Sequence, residues 1–153
     1  ACTHAGLRHS VPPSRDVAKA FQHRTEDWGE RIRALAAYAF APDFPEREPD
    51  AYAAFVRKKS EDEQPAYAYR RQLEASIAHD THDRLPEIAC PTLVITGRED
   101  LVVPAENSRI LAGRIPNARL VVMDNVGHLF FVEKPAETVA TIREFLTEGT
   151  DAS

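Results

Sequence analysis

The amino-acid sequence predicts an α/β chain: an all-helical first half, then two to three parallel strands with flanking helices. Three observations carry this. Residues 92–96 (TLVIT) and 119–123 (RLVVM) are short runs of apolar and β-branched residues, the pattern of strands buried on both faces. Each run precedes a stretch with helical spacing, 104–114 and 135–147, across short loops. Strand, helix, strand, helix in that form specifies a parallel sheet with right-handed crossovers. Residues 14–80, by contrast, repeat apolar positions every three or four residues and hold no good strand.

Taken in order, Ser14 is placed to cap a helix reaching about Phe21, its side-chain oxygen accepting from an N–H of the first turn. Thr25 is expected to cap a second helix, with Glu26 and Asp27 near its positive end. There Trp28, Ile32, Leu35 and Ala39 form one apolar stripe. Pro49 opens a third helix with Tyr52, Phe55 and Val56 on one side, and Pro65 a fourth whose Tyr69, Leu73 and Ile77 share a face. The Pro- and Asp-rich stretch 41–50 (APDFPEREPD) reads as a link. Pro104 suits the first turn of the helix after the first strand, because no N–H bond is lost there. The last helix is expected to turn Val139, Ile142 and Leu146 inward. Two or three strands cannot cover such helices and protect their own edges, so this half reads as part of a larger sheet.

The length of 153 residues suits one domain or part of a larger one. An apolar content of 43% permits a packed core, and a net charge of -5 argues against a general nucleic-acid surface, which needs clustered Lys and Arg. The basic run Arg57, Lys58, Lys59 is followed at once by Glu61, Asp62 and Glu63, and reads as a solvated helix end rather than a phosphate site. Cys2 and Cys90 lie far apart without metal-like spacing and read as reduced thiols of a cytoplasmic protein. No apolar run approaches the roughly 20 residues that span a bilayer, so no membrane partner is expected. The polar amino end has no leader pattern. HDTHD at 79–83 offers His-x-x-His, a zinc-compatible spacing, but its place at a helix end before Leu85 and Pro86 favours helix termination. Neither a metal nor a cofactor is expected.

The chemistry-bearing residues are Asp100, in GREDLVVP at 97–104, and His128, in DNVGHLFF at 124–131. Both fall just past the carboxyl ends of the expected strands, where open α/β sheets gather their sites. Singly, Asp100 reads as a turn residue and His128 as a loop residue beside Gly127. Together, at successive strand ends on one sheet edge, they read as a pair. A carboxylate accepting from one ring nitrogen holds the tautomer in which the other nitrogen takes a proton, and it stabilises the imidazolium that forms.

Residues 90–146 resemble the carboxyl-terminal third of the α/β-hydrolase superfamily, most closely its lactonase, esterase and haloperoxidase-like group. The matching signature is a strand, Gly97-x-x-Asp100-x-x-x-Pro104, a helix, a strand, Gly127–His128, Glu133-x-Pro135 and a final helix. By this resemblance Asp100 is the acid and His128 the base of nucleophile–His–Asp chemistry on a small ester or lactone. It implies a core-strand end at 1–6, a helical lid at 7–88, and the carboxyl-terminal strands and helices of the core at 89–149. His4, following that strand end, and Trp28 in the lid are expected to reach the substrate, as are Phe40 and Phe44 where they are not simple packing. Of Phe130 and Phe131, one is expected to pack beside the base and exclude water, the other to enter the core; Phe130 is assigned to the substrate side.

One part of the family pattern is missing. Its nucleophile sits on a G-x-S-x-G elbow, and here no two glycines are four residues apart. Ser10 and Ser14 lie in contexts that offer no strained strand-to-helix turn. The nucleophile (Ser, Asp or Cys) and the oxyanion hole are therefore expected outside this chain, which alone should be inactive. A second reading is a non-catalytic assembly module that pairs through its exposed sheet edge with a separate amino-terminal half or a second copy. A phosphoacceptor-type domain using Asp100 lacks the extra acidic pair for Mg²⁺ and leaves the Gly127–His128 loop unexplained.

Overall fold

The structure, a computed structural model, describes residues 3–22, 25 and 27–148. Cys2 and Glu26 lie outside the described residues. Helix α1 (Arg15–Gln22) begins as expected, with Ser14 Oγ accepting from Val17 N at 3.3 Å. Helix α2 (Trp28–Ala39) starts later than expected, because Asp27 and not Thr25 is its cap, accepting from Glu30 N at 2.8 Å. Asp27 directly precedes the first helical residue and adds a negative charge at the helix's positive end. Thr25 instead accepts from Asp27 N and donates to Glu30 Oε2.

The stretch 41–50 is not only a link. It holds a short helix, α3 (Phe44–Arg47), immediately before α4 (Pro49–Glu61). Phe44 explains it: this buried ring stacks on Phe40 with centroids 4.8 Å apart, while Tyr52 and Phe55 meet Phe40 edge-on at 5.5 and 5.0 Å. These aromatics form a core of the helical half with Ala36 and Ala41, and Leu129 and Val132 from the chain's second half join it. In α5 (Ala66–Ala78) the expected shared face is only partly covered, since Ile77 is 50% exposed. The chain then touches its beginning: Asp80 bridges Gly6 in antiparallel fashion, and Thr81 N donates to Ala5 O at 2.8 Å. Within the described part of 1–6 this bridge is the pairing that the structure has.

A 3-10 turn at His82–Glu87 leads into β1 (Thr92–Gly97), which pairs in parallel with β2 (Ala118–Met123) from Thr92↔Ala118 to Gly97↔Met123. Helix α6 (Ala105–Arg114) connects them, as predicted. One cluster joins Ala5, Leu85, Val94, Leu111 and Ile115; another joins Ile95, Met123, Val126 and Phe130. After β2 come α7 (Phe130–Glu133) and α8 (Pro135–Glu148). The expected inward face of α8 is a correction: Val139, Ile142 and Leu146 are 51%, 40% and 62% exposed. A two-stranded sheet is too narrow to cover that helix. Ile142 and Phe145 border an open cavity of about 480 Å³, with Leu93, Ile95, Phe130 and Phe131 on its other sides. Among the described residues no helix is long and apolar enough to cross a membrane.

Candidate active site

Asp100 lies three residues beyond β1. Its carboxylate is fully buried and both oxygens are engaged. Oδ1 accepts from Val102 N at 2.9 Å and Val103 N at 2.7 Å, so the side chain closes the turn that leads to Pro104 and α6. Oδ2 lies 2.9 Å from Nδ1 of His128, whose ring is about one quarter exposed. An ionised carboxylate only accepts, so Nδ1 carries the hydrogen of this bond and Nε2 carries the ring's lone pair. That is the tautomer of a general base.

Two glutamates to which the sequence assigned no role stitch the site together. Glu99 ties the Asp100 loop to the His128 loop: its N–H donates to Val126 O at 3.1 Å, and its Oε2 accepts from Val126 N at 2.9 Å. Glu133 ties the His128 loop to the corner after α2, its Oε1 accepting from Gly127 N at 2.7 Å and Ala41 N at 3.1 Å. Burial pushes the Glu133 carboxyl above its ordinary range, against the hydrogen bonds from Gly127 and Ala41 and the charge of Arg47. Glu133 was visible only as a letter of the Glu-x-Pro signature. Glu99 carried no signal, because an acidic residue in a turn reads as solvated.

Backbone crowding explains two glycines. A Cβ on Gly97 would collide with the carbonyl oxygens of Val126 and Gly127. A Cβ on Gly127 would lie 2.5 Å from Phe40 C and 2.7 Å from Ala41 N. The end of β1, the histidine loop and the end of α2 thus touch backbone to backbone. Asn125, in the turn before the histidine, adopts a left-handed backbone with φ 57°, which Asn tolerates better than most residues.

The other expected site residues fall in three different surroundings. His4 is half-buried, its Nδ1 accepts from Gly6 N at 3.1 Å, and its ring meets that of His79 edge-on at 5.6 Å. Burial, then the neighbouring His79, hold His4 below the usual imidazole value. Trp28 sits at the start of α2 and donates its indole N–H to Lys59 O at 2.8 Å, fastening α2 to the end of α4. Phe130 is buried with Ile95, Met123 and Val126, while Phe131 is 51% exposed. Phe40 and Phe44 are packed in the core of the helical half. The 79–83 stretch ends a helix, and His82 stacks on His9 at 3.7 Å. Among the described residues no group of three or more His, Cys, Asp or Glu side chains is arranged to hold a metal.

Comparison with known proteins adds a family. The model of the alpha/beta hydrolase fold matches residues 13–135. A poly(3-hydroxyalkanoate) depolymerase of Ectopseudomonas oleovorans is 39% identical over 80 residues, 52% of this chain and 28% of that protein. Among solved structures, an enol-lactonase from Burkholderia xenovorans LB400 superposes with a TM-score of 0.73 at 31% identity, covering 95% of this chain and 54% of its own. A thermophilic esterase from Thermogutta terrifontis gives 0.75 at 26% identity, covering 96% and 54%. The chain therefore spans about half the length of these solved relatives, and its matching stretch covers less than a third of the depolymerase.

Proposed function

The chain belongs to the alpha/beta hydrolase fold family, and from that premise we propose that it supplies the acid and base of a hydrolase acting on a small ester or lactone. The observation that carries this reading is the 2.9 Å contact between His128 Nδ1 and a buried Asp100 carboxylate held by two backbone N–H groups. His128 Nε2 takes the proton of a nucleophile supplied from outside these residues as that nucleophile attacks the carbonyl carbon. The same proton passes to the departing alcohol, leaving an acyl intermediate. His128 then takes a proton from the water that attacks the acyl carbon, and returns it to the departing nucleophile as the acyl bond breaks and the acid is released. Asp100 orients the ring and stabilises its charged form at both steps. His4, Trp28 and Phe130 stand as the proposed substrate-side residues.

The test compares this chain with the same chain preceded by a segment carrying a G-x-S-x-G elbow. We expect no burst of p-nitrophenolate from a short-chain p-nitrophenyl ester with the 153-residue chain, and a burst from the longer protein that His128→Ala removes. A burst from the chain alone overturns the external nucleophile, and a longer protein indifferent to His128→Ala overturns the role of the base.

The exposed apolar residues of α8, Val139, Ile142 and Leu146, beside the open cavity, support a second reading. In it the chain is an assembly module that seats on a separate amino-terminal half or on a second copy of itself. Light scattering that finds a monodisperse monomer with cooperative melting counts against it.

A further inference from the structure

We propose that Glu133 is a positioning residue that locks the loop bearing His128 to the corner of the cap after α2, so that cap and base move as one body. The proposal rests on reading His128 as the base. The histidine is held to the cap on both sides. Before it, Gly127 N donates to Glu133 Oε1 at 2.7 Å, and the same oxygen accepts from Ala41 N at 3.1 Å. After it, Leu129 N donates to Ala39 O at 2.9 Å. Gly127 leaves room for no side chain between the two backbones.

The chemistry of Glu133 fits a lock better than a packing residue. Its side chain is wholly buried, and Oε2 has no hydrogen-bond partner among the described residues. The nearest cation is Arg47, whose Nη2 lies 3.6 Å from Oε2 and also donates to Asn125 O at 3.4 Å. Burying a carboxylate this way is unfavourable unless its hydrogen bonds return the cost. Here a single oxygen joins two backbone N–H groups from segments 86 residues apart in sequence (127 minus 41). Arg47, from α3, reaches the same loop through Asn125, so the cap grips the base loop through both residues. A displacement of residues 39–41 is then transmitted to the imidazole through bonds rather than through loose packing.

The experiment is proton and nitrogen NMR on the isotope-labelled chain, following the far-downfield His128 Nδ1 proton and the exchange of the Gly127 and Ala41 amides. Glu133→Ala is expected to extinguish the Nδ1 resonance and to speed both amides together by more than about tenfold, the factor for one lost hydrogen bond. Amides of β1 and β2 stay protected. Glu133→Gln keeps a carbonyl oxygen at the junction and is expected to restore all three signals. The proposal is overturned if Glu133→Ala lowers the melting temperature yet leaves the Nδ1 resonance intact below it, or if the two amides respond independently. Should Glu133→Ala fail to fold, the unsubstituted chain decides: amides sharing one junction exchange with a common protection factor, and values differing by more than about tenfold overturn the lock. Absence of the Nδ1 resonance from the unsubstituted chain counts against the Asp100–His128 reading itself, and the two amides still decide the role of Glu133.

Discussion

Replacing Asp100 by Asn leaves the shape of the site almost unchanged and reverses its hydrogen-bond logic. The amide must face two demands at once. Val102 N and Val103 N, at 2.9 and 2.7 Å, require an acceptor at Oδ1. Turning the NH₂ group toward them sets donor against donor and abandons two buried bonds, at about 1–3 kcal/mol each. The oxygen therefore stays on the turn by a factor of roughly 30 or more, taking 2 kcal/mol as the lower limit. The NH₂ group then faces His128 Nδ1, which must become an acceptor, and the hydrogen moves to Nε2. A base whose reacting nitrogen already carries a hydrogen is the wrong tautomer, and the expected loss in kcat is about 10⁴-fold, or about 5.5 kcal/mol. The assays are stopped-flow ester hydrolysis by the longer, elbow-bearing protein and imidazole nitrogen NMR on this chain. Turnover within tenfold of the unsubstituted protein, or an Nδ1–H tautomer persisting in Asp100→Asn, refutes the reasoning.

Three further outcomes follow from the same geometry. Gly127→Ala forces a methyl group against Phe40 and Ala41 and is expected to cost about 1–3 kcal/mol in urea unfolding; an unchanged midpoint means the two backbones separate freely. Phe40→Ala empties the centre of the aromatic cluster of the helical half and should cost about 3–5 kcal/mol, with amide protection lost first in α2 and α4; uniform loss across β1 and β2 contradicts a separate helical core. The third concerns pH. Because burial raises the Glu133 carboxyl, the folded state holds that proton more tightly than the unfolded state. Its contribution is therefore fully present below the ordinary value of 4.5 and is lost as pH rises through the raised folded value. Stability of the unsubstituted chain relative to Glu133→Gln should fall across that window, and a difference that is flat or grows with pH contradicts it.

What the sequence made legible was whatever follows from local pattern. The β-branched run at 92–96 and Pro104 announce a strand and the helix after it, and the structure has β1 and α6 there. Asp100 and His128 were legible as a pair because strand ends bring residues to one sheet edge irrespective of their distance in sequence. The two glutamates were not, because their partners are backbone N–H groups of remote segments, and no spacing rule encodes Ala41 beside Glu133. The helix inside 41–50 was hidden by its prolines, which read as a break, whereas Phe44 is drawn inward by Phe40. The α8 stripe misled in the opposite sense: its periodicity is that of a covered face, but the described chain supplies too little sheet to cover it.

The contact of Gly97, Gly127 and the Phe40–Ala41 peptide also sets the rules for exchanging parts among relatives. A graft that swaps all the helices from α1 to α5 must import a foreign α2 terminus into a space with no tolerance for an added methyl group. Such chimaeras should fail at this junction even when the donor helices fold well. Crossover points placed on the far side of residue 47 keep the native seam and leave α4 and α5 as the replaceable part. Insertions and sequence drift should accumulate there, while length around residues 39–41 stays fixed.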